Sequence, residues 1–223
     1  MQKINYEDYD PDLKFSTFSN SLAPDAKLPF IGVSVPKLKQ IAKTLPFDKI
    51  EINCTEDVML QNIVIGTSTR PFKEKTELLE YILPYYSSWI MTDTLACNLK
   101  IKKADFPQVF EYVKELTTRK EVYSIRTGIV VLLSRFLTDE YIDRVLELYK
   151  TLSKDQEYYT LQMALAWGYS FCVIKFEEKT MKELTSLPLP ILKLTAQKCR
   201  DSRRVTPETK QAITNLVNNH LDR

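Results

Sequence analysis

The 223-residue chain has only four glycines, Gly32, Gly66, Gly128 and Gly168, and few stretches in which β-branched and polar residues alternate. Both shortages argue against a sheet-rich fold, which needs turn residues between short alternating strands, and in favour of helices. Cysteine and histidine are sparse as well: Cys54, Cys97, Cys172 and Cys199 are scattered without a Cys-x-x-Cys pair, and the one histidine is His220. That pattern excludes the common zinc spacings and a disulfide framework. No metal or cofactor is expected, and the cysteines read as free, buried thiols in a reducing cytoplasm. Long apolar runs are missing too. Residues 158 to 174 carry no charge, yet Gln162, Gly168, Ser170 and their tyrosines make a poor membrane span, so this stretch reads as a helix buried on most sides. The polar, acidic first twelve residues have none of the basic and apolar segments of a secretory signal, so no export is expected.

What is present is a globular composition, 44% hydrophobic, in a chain long enough for one substantial domain or two small ones. The formal net charge of +2 does not by itself call for nucleic acid, so the placement of charge matters more than its total. Phe15, Phe18 and Leu22 follow helical spacing and predict an amphipathic helix, which Pro24 and Asp25 end. Phe30-Ile31-Gly32-Val33 reads as a short apolar link. Pro36 then opens a helix carrying Leu38, Ile41, Ala42 and Leu45, closed by Pro46.

From there two kinds of helix alternate. Amphipathic members are predicted over 72–84, 105–117, 139–152, 177–187 and 207–220, and more apolar members begin near 57, 89, 124, 160 and 192. Thr55, Asp105, Thr138 and Thr206 are placed to cap helix starts. Two interleaved series sharing a period of about 35 residues are the mark of stacked helical hairpins, which bury their apolar faces only against neighbours. The expectation is an all-α fold in one domain over residues 1–223, an α-α superhelix or solenoid of HEAT-like repeats. The apolar, inner series would line its concave face.

Several residues on that inner series do not suit a purely apolar core. Trp89 and Asp93, four apart in Ser87-Ser88-Trp89-Ile90-Met91-Thr92-Asp93, project from one helix face. The two serines can cap the helix, and an acid in its first turn suits the dipole. The alternative is an aromatic wall beside an anion, suited to a positively charged ligand. Arg126 stands about 100° off the apolar stripe of Ile125, Ile129, Leu132 and Phe136, at the edge of the buried face. An arginine there needs an anion, either an internal carboxylate such as Asp93 or an external phosphate. Trp167 lies among Ala164, Ala166 and Gly168, small residues that let the helix pack closely and the indole project, although a lone tryptophan in an apolar helix is usually core. The last inner helix, expected over 192–205, gathers Lys193, Lys198, Arg200, Arg203 and Arg204 against the single acid Asp201, with Lys193, Arg200 and Arg204 on one stripe. Such a run is either a solvated face or a set of phosphate contacts, the latter making a positively charged groove.

Five segments, in order, carry a resemblance: the stretch from Phe30 to Lys43 around Pro36-Lys37-Leu38-Lys39, the Trp89/Asp93 pair, Tyr123-Ser124-Ile125-Arg126, Gln162-Met163-Ala164-Leu165-Ala166-Trp167, and Gln197-Lys198-Cys199-Arg200-Asp201-Ser202-Arg203-Arg204-Val205. Together, over about residues 15 to 217, the chain resembles the bacterial DNA alkylation repair glycosylases of the AlkD-like family. The resemblance implies HEAT-like repeats whose concave face holds duplex DNA, and excision of cationic N3- and N7-alkylpurines without metal or cofactor by a cytoplasmic monomer. It further implies that Trp89 and Trp167 contact the lesion's deoxyribose, that Asp93 is the catalytic carboxylate, and that Arg126 binds a phosphate beside it. Lys37 and Lys39 fall where the family often has arginine, and with Lys193, Lys198, Arg200, Arg203 and Arg204 they are the expected backbone contacts. Ser87-Ser88 and Leu194-Thr195 replace more polar pairs and bear on DNA affinity and substrate range. A non-catalytic DNA-binding solenoid and a protein-interaction scaffold are the competing classes.

Overall fold

The computed structural model describes residues 1–22, 26–154 and 156–221. Among them there is no strand, only an isolated parallel bridge between Gln2 and Ile50, and the chain is all-α with 12 α-helices. No helix of the described residues is long and apolar enough to cross a membrane. The chain divides into two compact units, Met1–Glu111 and Tyr112–Arg223.

The first unit holds α1 (Leu13–Leu22), α2 (Val35–Ala42), α3 (Thr55–Thr67), α4 (Phe72–Ile82), α5 (Trp89–Asn98) and the start of α6 (Phe106–Leu116). Helix α3 is its centre, buried on every side from Thr55 to Gly66 and packed against α2, α4 and α5. A helix buried all round must satisfy every polar side chain it carries. Glu56 accepts the backbone N–H groups of Ile31, Gly32 and Val33 at 2.6–3.1 Å. Asp57 accepts the Tyr6 hydroxyl at 2.7 Å and the amides of Asn53 and Cys54. Gln61 joins the Asp48 carbonyl to the Ile50 amide, and Asn62 accepts the Tyr86 hydroxyl while donating to the Met91 carbonyl of α5 at 2.8 Å. The "link" of residues 30–33 is therefore a cradle of three amides closed around a carboxylate. Gly32 supplies its bend at φ 109°, where a Cβ would lie 2.4 Å from the Asp12 carbonyl oxygen.

In the second unit α7 (Val122–Arg135), α9 (Tyr159–Lys175) and α11 (Leu189–Asp201) pack side by side, while α8 (Ile142–Ser153), α10 (Glu177–Leu184) and α12 (Pro207–Leu221) form the other layer. The outer helices bury one stripe each; in α8 it is Ile142, Val145, Leu146, Tyr149 and Ser153. Of the inner helices, α7 and α9 are buried on most sides, whereas α11 buries only Ile191, Leu192, Thr195 and Cys199. The alternation of amphipathic and apolar helices thus matches two layers.

Several expectations need correction. α1 forms, but Phe15 and Phe18 are 40% and 59% exposed, so its apolar spacing does not mark a buried face. Pro24 and Asp25 lie outside the described residues. Cys54 rather than Thr55 caps α3, in a reciprocal box with Asp57, which frees the Thr55 hydroxyl to donate to the Leu28 carbonyl. Thr138 precedes a turn and α8 starts only at Ile142. Thr206 does cap α12, accepting the Thr209 amide at 3.2 Å. Pro84 turns the end of α4 into a short 3₁₀ segment, Leu83–Tyr85. The four cysteines form no disulfide, but Cys97 is exposed rather than buried.

Candidate nucleic-acid interface

In the first unit Trp89, 41% exposed, Asp93, part-buried, and Cys97, exposed, recur every fourth residue along α5, flanked by the part-buried Ile90 and Asn98. The other side of the helix, Met91, Thr92, Leu95 and Ala96, is buried. The Asn62 bond to the Met91 carbonyl fixes the helix's rotation, so α3 turns the indole and the carboxylate outward together. The Thr92 hydroxyl lies 2.8 Å from the Trp89 carbonyl oxygen and 3.0 Å from Oδ1 of Asp93, bridging the two site residues from beneath. Asp93 is the fifth residue of α5, so it lies beyond the first turn where the dipole would reward it. Ser88 occupies the N-cap position without making a side-chain cap, and Ser87 instead accepts the Lys27 amide. The helix-start explanation of Asp93 therefore loses both its supports.

Lys37 donates to the carbonyls of Tyr9 and Asp10 and pairs with the Asp10 carboxylate at 3.4 Å, so it ties down the N-terminal segment. Lys39, on the same helix, is exposed. Lys75 of α4 was missed by the pattern reading because it sits at an apolar position. It is 3% exposed, donates to the Lys100 carbonyl at 2.8 Å, and burial holds its ammonium below the usual lysine range, with the Asp105 carboxylate opposing.

In the second unit Arg126 is not at the edge of a buried face. It is 3% exposed, while Ile125 of the supposed apolar stripe is the more accessible. The reason is that α7 is enclosed on nearly all sides, so no single stripe defines its interior. Nη1 of Arg126 donates to the Thr160 carbonyl in the first turn of α9 at 3.0 Å.

Trp167 is part-exposed on α9, although both its chain neighbours are buried. Gly168 permits this. A Cβ there would lie 2.5 Å from Cε2 of Tyr149, so α9 packs directly on that ring and the residue before it, Trp167, turns outward. One turn on, Phe171 meets the indole edge-to-face, with ring centroids 6.0 Å apart at 84°. The Arg204 guanidinium lies over the Phe171 ring, 5.8 Å from its centroid.

Helix α11 begins at Leu189 and ends at Asp201, earlier than expected at both ends. Pro188 and Pro190 set its start, and Ser202 turns extended, its hydroxyl accepting the Arg204 amide at 3.2 Å. Arg203 and Arg204 consequently sit in the following turn, and the expected helical stripe through Lys193, Arg200 and Arg204 does not exist. Lys193, Arg200, Arg203 and Arg204 are exposed and Lys198 part-buried. Among the described residues no carboxylate pairs with any of the five. The outer layer contrasts: Lys150, Lys179 and Lys182 pair with Glu183, Asp143 and Glu178 at 2.6–2.9 Å. These three outer-layer lysines are thus neutralised by their partners, whereas the cations of α11 and of the turn that follows it are not, and so can attract an anion.

Fold and site together describe an all-α protein that carries Trp89 and Asp93 on one face of α5 in its first unit and, in its second, Arg204 over the Phe171 ring that meets Trp167. The family model of the DNA alkylation repair enzyme matches residues 14–168, well over half the chain. The chain belongs to that family. The match includes Trp89, Asp93, Arg126 and Trp167 and stops short of Phe171 and the basic segment of α11. No curated protein and no solved structure matches the chain.

Proposed function

We propose that the protein is a monofunctional DNA glycosylase that releases cationic N3- and N7-alkylpurines, such as 3-methyladenine and 7-methylguanine, from duplex DNA as the first step of base excision repair. The observation that carries the reading is the outward pairing of Trp89 with Asp93 on a helix whose other side is buried, inside the family match. Alkylation at N3 or N7 already places positive charge on the base, so the glycosidic bond is weak and departure needs no general acid. As the bond lengthens, that charge moves to the sugar as an oxocarbenium ion. A fixed carboxylate and an electron-rich ring face stabilise that ion more than they stabilise the ground state. Asp93 also orients the attacking water, as a carboxylate does in glycoside hydrolysis. Thr92 holds Asp93 in place through its hydroxyl.

In this proposal Trp167 presses on the lesion's deoxyribose, and Lys193, Lys198, Arg200, Arg203 and Arg204 hold the DNA backbone; Arg126, 3% exposed and donating to the Thr160 carbonyl, is a weaker candidate phosphate contact. The absence of carboxylate partners for the five backbone-holding cations among the described residues supports that assignment. Lys39 is a weaker candidate contact, and Lys37 has its own intramolecular partners. No lysine nucleophile is invoked, so no strand cleavage accompanies base release. A scaffold reading finds no specific support.

The test is incubation of the purified protein with methylated duplex DNA and chromatography of released bases. Release of 3-methyladenine or 7-methylguanine is expected, and none from Asp93→Asn at equal duplex affinity. Binding without release by the wild type would replace the proposal with a non-catalytic DNA-binding role. Asp93→Asn losing binding and excision equally would make Asp93 structural.

A further inference from the structure

We infer that Phe171 is a positioning residue that couples the indole of Trp167 to a phosphate contact made by Arg204. The inference rests on the DNA-repair reading for its ligand, and for its substance on the contacts of Phe171 and Arg204, both outside the matched family region. Trp167 and Phe171 are one turn apart on α9, both part-exposed, and meet edge-to-face. The Arg204 guanidinium lies over the same phenyl ring. One ring thus bears an indole on one side of its contact surface and a cation on another, and moving it displaces both.

The Arg204 backbone is also held, by the Ser202 hydroxyl on its amide and by the buried Val205 that follows. A guanidinium resting on an aromatic ring keeps its N–H fork in one plane with its edges outward, the arrangement that takes a phosphate bidentately. Arg119 and Arg70 spend their forks on Glu115 and Glu74. Arg204 has no such carboxylate among the described residues. Arg203, its neighbour, has no aromatic partner among them either, and serves as the internal control: same charge, same turn, no ring beneath it.

Phe171→Leu keeps the apolar volume and removes the ring; Phe171→Tyr restores it. The first measurement needs no DNA. In a Trp89→Phe background Trp167 is the sole indole, and Phe171→Leu should lower its fluorescence anisotropy and raise its quenching by acrylamide, with Phe171→Tyr close to the parent. Unchanged anisotropy and quenching would overturn the positioning role. The second uses an undamaged duplex across a salt series. Arg204→Ala should reduce the slope of log K against log salt by about 1, the loss of one phosphate contact. Phe171→Leu should reproduce that loss, the double variant should lose nothing further, and Arg203→Ala should add its own loss in either background. Additive effects of Phe171→Leu and Arg204→Ala on a bound duplex would overturn the inference alone. A wild type that binds no duplex would overturn the repair reading together with the phosphate half, leaving the fluorescence result to decide the indole half.

Discussion

Replacing Gly168 by alanine tests how Trp167 reaches the surface. In an exposed helix interior the change stabilises, because alanine exceeds glycine in helix propensity by about 1 kcal/mol. Here the new methyl would lie 2.5 Å from Cε2 of Tyr149 and 2.8 Å from its Cζ and hydroxyl oxygen. Reaching ordinary carbon–carbon separation requires a shift of roughly 1 Å. The ring has no room to retreat. Tyr149 is fully buried, packs edge-to-face on Tyr169 with centroids 5.5 Å apart, and donates its hydroxyl to the Ile129 carbonyl at 2.9 Å. Overpacking of this kind costs about 1–3 kcal/mol, so against the gain of about 1 kcal/mol in propensity the net effect is a loss of up to about 2 kcal/mol. Urea unfolding followed by circular dichroism reads it as a lower midpoint at unchanged slope. In a Tyr149→Leu background, itself destabilised by loss of the ring, adding Gly168→Ala should be neutral or stabilising, and that non-additivity identifies the contact. A single variant as stable as the wild type, or more so, would refute the argument that close packing at Gly168 turns the indole outward.

Two further predictions concern groups buried away from the site. Glu56→Gln offers the amides of Ile31, Gly32 and Val33 one neutral oxygen in place of a carboxylate, and should cost about 3 kcal/mol by thermal or urea unfolding. Burial pushes the Glu56 carboxyl above its ordinary 4.5, against the pull of those amides, so the folded state holds this proton more firmly than the unfolded chain does. Its contribution is full below pH 4.5 and falls as pH rises through the raised folded value, and Glu56→Gln should abolish that component of the pH–stability curve. Lys75 has the opposite sign. Its lowered folded pKa means the unfolded chain binds the extra proton, so its share of stability grows as pH climbs towards 10.5, and Lys75→Met should flatten that rise. An unchanged slope in Lys75→Met would show that burial does not perturb this ammonium.

The layered helices were legible from residue order because amphipathic period and apolar length are local properties. Ile142, Val145 and Tyr149 mark the buried stripe of α8 wherever α8 packs, and proline and threonine mark several helix ends by their own backbone chemistry. The Trp89/Asp93 pair was legible for the same reason, since four-residue spacing on any helix puts two side chains on one face. Burial around an enclosed helix was not legible. Arg126 read as an edge residue because one apolar stripe stands out in α7, whereas tertiary packing closes the helix on nearly all sides and takes the arginine inside. Nor could order alone join Glu56 to residues 31–33 or Arg204 to Phe171, pairs separated by 23 or more positions and made neighbours only by packing. The sequence by itself determined the helical alternation and which residues could do chemistry, because periodicity and side-chain type are carried within each segment. The tertiary structure decided which of those residues face solvent, which carbonyl Arg126 meets and where the basic segment leaves its helix, because those depend on contacts between segments that no local pattern encodes.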